Sequence, residues 1–213
     1  MTGLRFRETM TGRIAMRATD PAAGYRQTAA VAATLRVEVD IPDVAAFLAG
    51  PRIGRLRAEL IVPVLGGRYL STDGEFHLFD RGRAADSVQE IRYTADLFNN
   101  DRQYRMDGRK LVGRRPWRVW PDTTRLHLTL TDVTPHTPSD PDSFRPRTAA
   151  GVVSIGPGDF IRQLGTMRGY PADPRTRWVV PRYLLLFARC LATGYCGPET
   201  EHPGRNTDEL PDR

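Results

Sequence analysis

Apolar side chains recur at every second position through most of the chain before Gly156, and that period limits the fold more than any other feature. In the opening segment Leu4, Phe6, Glu8, Met10, Gly12, Ile14 and Met16 share one face. Arg5, Arg7, Thr9, Thr11, Arg13 and Arg17 take the other. Side chains of a strand alternate between its two faces, so this pattern predicts a long half-buried strand. DPAAGY, from 20 to 25, reads as a turn. Residues 28–41 then repeat the pattern, with Val31, Ala33, Leu35, Val37, Val39 and Ile41 opposed to Thr34, Arg36, Glu38 and Asp40. Pro42 opens a short helix, PDVAAFLAG, which Gly50-Pro51 ends.

Further strands are expected at 55–65, with Leu56, Ala58, Leu60, Val62 and Val64 inward, and at 69–79, with a bend at Asp73-Gly74. Others follow at 88–98, 124–132 and 149–155. Asn99-Asn100-Asp101 leads into QYRMDGRKLVG, which reads as a hairpin turning at Asp107-Gly108. Residues 134–147 read as a Pro-rich loop.

Short turns and the lack of helix-length crossovers predict a mainly β, antiparallel sheet. Eight or nine strands with one apolar face must curl into a closed barrel or pair as a β-sandwich. The length of the first two strands favours a lipocalin-like barrel, which can hold one small ligand if side chains do not fill it. C-terminal helices should follow. One starts at GPGD, with Asp159 as N-cap or first-turn acid; the other is PRYLLLFARCLAT, opened by Pro181 and closed by Gly194. Residues 1–196 are then a single domain, with 197–213 a polar, disordered tail.

Charge narrows the function classes. The 31 basic residues are 30 Arg and one Lys, Lys110. Arg codons are GC-rich, so the balance reads first as a high-GC bacterial genome such as an actinomycete's. Arginines 5, 7, 13, 17, 36, 55 and 57 fall on outward faces shared with Glu38, Asp40 and Glu59. That mixture suits a solvated sheet face better than a nucleic-acid surface. No apolar run is long enough to span a bilayer, and the first residues alternate where a signal core would be continuous. Cys190 and Cys196 suit a core thiol and a second unpaired thiol in a reducing cytoplasm; a disulfide is the lesser alternative. His77, His127, His136 and His202 are scattered, so no metal site is expected. Dinucleotide, P-loop, HExxH and GxSxG motifs are missing, and no cofactor is predicted.

Glu8 is the informative residue, because its register places a carboxylate on the face to be buried. Unpaired, it would cost several kcal/mol. It is therefore either a structural acid bonded to an Arg or Tyr, a residue turned out by a bulge, or a carboxylate lining a ligand cavity and placed to move a proton. Tyr93 and Tyr104 fall on inward faces, as ligand orienters or as core tyrosines that satisfy Glu8. Trp117 and Trp120, in RPWRVWPD, are candidates for an aromatic gate or for ordinary packing. Phe6, Met10 and Met106 are candidates for an adaptable lining or for plain core.

LRFRETMTG, DGEFHLF, RYTADLF, YRMDGRKLVG, WPDTTRLHL and VSIGPGDFIRQLGTM together resemble the accessory, non-flavin domain of some bacterial glucose–methanol–choline oxidoreductases of the cholesterol-oxidase kind. The resemblance implies a free-standing version of that domain, meeting a sterol-like or polyketide-like molecule. It carries over no flavin fingerprint and no catalytic residue. Two ligand-binding functions are then expected, beside a structural or interaction domain whose barrel is solidly packed. The first is a cofactor-independent cyclase or isomerase, pericyclase-like, that folds a hydrophobic polyketide-like intermediate in a barrel cavity. Glu8, Tyr93 and Tyr104 would be its catalytic residues and Phe6, Met10, Met106, Trp117 and Trp120 its substrate contacts. The second is a non-catalytic carrier of a lipid-like ligand for a separate flavin oxidoreductase. The expected partner is a hydrophobic small molecule, together with a second copy of the chain or a biosynthetic enzyme.

Overall fold

Strand β1 (Gly3–Met16) is the staple of the molecule, because it pairs on both sides and closes the sheet on itself. A computed structural model describes residues 1–81, 89–100, 102–112, 116–134 and 148–196. The remaining strands are β2 (Val31–Ile41), β3 (Ile53–Val62), β4 (Gly67–Arg81), β5 (Gln89–Phe98), β6 (Gln103–Val112), β7 (Arg125–Asp132) and β8 (Thr148–Ser154). Each pairs antiparallel with the next, and β8 returns to β1, so the sheet is a closed eight-stranded barrel and not a sandwich. A short ninth strand, β9 (Arg168–Tyr170), adds to β1 beside Gly3–Arg5.

Among the described residues five α-helices decorate it: α1 (Pro21–Arg26), α2 (Val44–Ala49), α3 (Val119–Thr124), α4 (Pro157–Thr166) and α5 (Val179–Cys196). Helix α1 replaces the turn expected at 20–25. The Asp20 carboxylate accepts from Ala23 N–H at 2.6 Å, and Pro21 fits the first turn. Gly24 lies flat on β8, where a Cβ would stand 2.2 Å from the Ala150 carbonyl oxygen. This contact forms a small satellite core of Ala15, Ala18, Ala30 and Ala150 outside the barrel.

Asp107-Gly108 is not a turn. Strand β6 runs through it unbroken, and the chain reverses at Asn99-Asn100. Gly108 faces inward opposite Tyr93, and a Cβ there would press on the Leu126 side chain at 3.0 Å. Glycine serves packing at this position. Val64 is exposed, in a short 3-10 turn after β3. Gly194 does not stop α5, and Pro181 sits within its first turn, where a missing N–H leaves no bond unmade. Asp159 lies in the first turn of α4, whose N-cap is Gly156. Most of the Pro-rich loop (135–147) and the tail (197–213) lie outside the described residues.

One register change matters for the site. In β4 the inward parity runs through Tyr69 and Ser71, then through Phe76 and Leu78, so the chain takes one extra residue between them. The pairing with β3 jumps at that point, which is a β-bulge. It turns Phe76 and Leu78 into the barrel at one end.

That end carries α2 to α5. Helix α4 packs on β1, α3 on β6 and β7, and α5 on β1, β9 and α2. The opposite end is plugged. Tyr69 and Tyr104 meet edge to face at 5.3 Å, and the Tyr69 hydroxyl donates to the Leu65 carbonyl. Met10, Leu35, Leu60, Leu97, Met106 and Leu130 fill the space between, all fully buried. Arginines cover the outside in ion pairs, with Arg5, Arg7 and Arg57 around Glu38 and Arg36 and Arg68 around Glu59. No described helix is long and apolar enough to cross a membrane.

Candidate functional site

Strand β1 lacks a strand neighbour on one side for part of its length. Strand β8 pairs with it from Thr11 onward and β9 only as far as Arg5. Helix α4 covers the gap. Thr166 Oγ1 accepts from the Arg7 N–H at 2.9 Å and lies 3.3 Å from the Arg7 carbonyl oxygen, in the manner of a missing strand. Glu8 follows Arg7 and points inward through this breach in the barrel wall.

Four side chains converge there. Glu8 Oε2 accepts from the Tyr93 hydroxyl at 3.0 Å and from Lys110 Nζ at 3.0 Å. Glu8 Oε1 accepts from Gln163 Nε2 at 2.7 Å. The Lys110 and Glu8 side chains are 3% and 5% exposed, so both charges have left water. Lys110 Nζ also lies 5.0 Å from the centre of the Tyr93 ring. Burial, and then the neighbouring Glu8 charge, push the Tyr93 phenol well above its ordinary range, and it stays a hydrogen-bond donor. Tyr183 is raised by burial and by Glu8 in the same order.

The cluster forms the floor of an otherwise apolar cavity of about 280 Å³ between the barrel end and the helices. Phe76, Ile91 and Ile155 contribute from the barrel, and Trp120, Phe160 and Phe187 from α3, α4 and α5. A carboxylate offers about four acceptor positions. Three are used by the protein. The Oε1 of Gln163, at the same wall, is buried without a hydrogen-bond partner among the described residues.

Glu8 and Tyr93, both on inward faces, are thus together. Tyr104 is not with them. It sits six residues from Lys110 along β6, about 20 Å away at strand rise, in the plugged end, where its hydroxyl accepts from Arg102 at 3.4 Å. Trp117 is 77% exposed and outside the cavity wall, whereas Trp120 lines it and packs edge-on against Phe160 at 5.3 Å. Met10 and Met106 belong to the barrel filling. Phe6 is also core, backing the wall through Phe76 and Tyr183. The cavity therefore lies at the barrel end and not along its axis.

Lys110 and Gln163 escape the sequence patterns described above. Lys110 carried a signal, since it shares inward parity with Met106, Gly108 and Val112. Gln163 carried none, because α4 reaches Glu8 only through the gap between β8 and β9. Cys190 is buried, its Sγ accepting from Arg52 at 3.4 Å. Comparison of the chain with protein-family models, with curated proteins and with solved structures gave no match.

Proposed function

We propose that this protein is a cofactor-independent cyclase or isomerase that moves a proton on a hydrophobic, carbonyl-bearing small molecule of polyketide type. A single observation carries the reading: the one cluster of buried opposite charges among the described residues lies at the floor of an apolar cavity. A charge pair there is electrostatically strong, because the surroundings cannot screen it.

Glu8 is the proton-transfer group. Its three donors fix its orientation at the cavity wall. Lys110 stabilises negative charge developing on a substrate oxygen, and Tyr93 holds both in line. The apolar walls select a compact conformer of a flexible chain, which lowers the entropic barrier to ring closure.

The test is solvent deuterium exchange at the α-carbon of bound apolar ketones such as 1-tetralone, read by NMR. The protein should accelerate exchange, and Glu8→Gln should lower the rate by about 10²–10⁴-fold, the usual worth of a general base, while ligand binding persists. Binding with no acceleration would sink the enzyme and favour the carrier of a lipid-like ligand.

A further inference from the structure

Lys110 is the only lysine in a chain with 30 arginines, and it is the buried cation at the cavity floor. Arginine supplies the cation in every other lysine- or arginine-based ion pair of the described residues. A guanidinium cannot be deprotonated in a protein, whereas an ammonium can surrender a proton and become a nucleophile. A proton acceptor is in place, with Glu8 Oε2 at 3.0 Å. The Tyr93 hydroxyl meets the same oxygen at 3.0 Å and can relay a proton to a departing group.

We infer that Lys110 forms an imine with an aldehyde or ketone bound in this cavity. The inference deepens the proposed function, giving Lys110 a covalent role on the carbonyl in place of the electrostatic one, and rests on the cavity being a small-molecule site. Lys110 first gives a proton to Glu8. The free amine attacks the carbonyl carbon, so an N–C bond forms while the π pair moves to oxygen. That oxygen takes a proton from the newly cationic nitrogen, leaving a neutral carbinolamine with the proton on Glu8 still in place. The nitrogen lone pair then closes C=N as the C–O bond breaks, and Glu8 returns its proton to the departing hydroxide. Amine and carbonyl give imine and water, and nothing is oxidised or reduced. The protonated imine acidifies the α-carbon, where Glu8 is placed to move a proton.

The test soaks the protein with naphthalene-2-carbaldehyde and sodium cyanoborohydride, whose hydride fixes an imine as a stable secondary amine. Intact mass and peptide mapping follow, with Trp120 fluorescence reporting binding separately. Lys110 should be modified faster than the exposed α-amine of Met1, although burial alone would make it slower. Lys110→Arg should bind the aldehyde without an adduct at 110. The double variant Glu8→Gln/Lys110→Met removes both charges together, so that the fold survives, and should likewise bind without an adduct. Aldehyde binding with no adduct at Lys110, or with labelling confined to the α-amine, overturns the imine and leaves the acid–base site standing. Absence of binding overturns both.

Discussion

The ammonium of Lys110 stands 3.0 Å from the carboxylate of Glu8, 102 residues earlier in the chain, with both side chains almost wholly removed from water. Strands β1 and β6 hold them across the barrel, and Tyr93 of β5 donates to the same carboxylate oxygen. Removing one partner leaves the other charged, buried and alone. Lys110→Met should therefore destabilise the fold by about 3–5 kcal/mol, whereas Glu8→Gln/Lys110→Met together should change it little. Urea unfolding of the two single variants and the double variant gives the coupling directly. Additive effects would mean that the pair is hydrated in solution.

Tyr93 and Tyr183 are buried phenols raised above their ordinary range, by burial first and by Glu8 next. Each stays protonated in the fold after it would ionise in the open chain. Their contribution to stability is thus fully present below pH about 10 and is lost as pH rises above it. Unfolding midpoints between pH about 8 and about 11 should fall more steeply for the wild type than for Tyr93→Phe. Identical slopes would place the Tyr93 hydroxyl in water. Tyr170, pushed up to about 12 by burial and its bond to Asp40, adds to the fall in both proteins.

The two candidate tryptophans should separate cleanly in fluorescence. Trp120 lines the cavity and Trp117 does not. An apolar ligand should change emission in Trp117→Phe as in the wild type. The change should be largely lost in Trp120→Phe. The reverse result would move the ligand elsewhere.

Closure of the barrel depends on two glycines facing each other's strands. A Cβ at Gly151 would lie 2.0 Å from the Arg13 carbonyl oxygen, and one at Gly12 would lie 2.0 Å from that of Val152. Backbone cannot yield as a side-chain tip can. Gly151→Ala should cost about 1–3 kcal/mol or more by forcing β8 from β1. Thermal unfolding measures it, and an unchanged midpoint would show that the seam is looser than drawn.

The alternation of apolar residues determined most of the strands and their inward faces, because burial of one face fixes the parity between bulges, and it left a closed barrel and a sandwich both open. It also singled out Glu8 and Tyr93, since an inward polar residue on a strand has nowhere to go but the interior. It misplaced Asp107-Gly108, where glycine makes room for Leu126 and turns nothing. Only the tertiary structure decided what Glu8 meets. Lys110 reaches it through barrel curvature and Gln163 through the gap in the pairing of β1, while a bulge that shifts parity by one residue brings Phe76 to the cavity wall. Tyr104 and Met106 share a face with Lys110 yet lie at other depths. Period two records the face of a strand and carries no information on height along the barrel axis, which strand tilt and closure set.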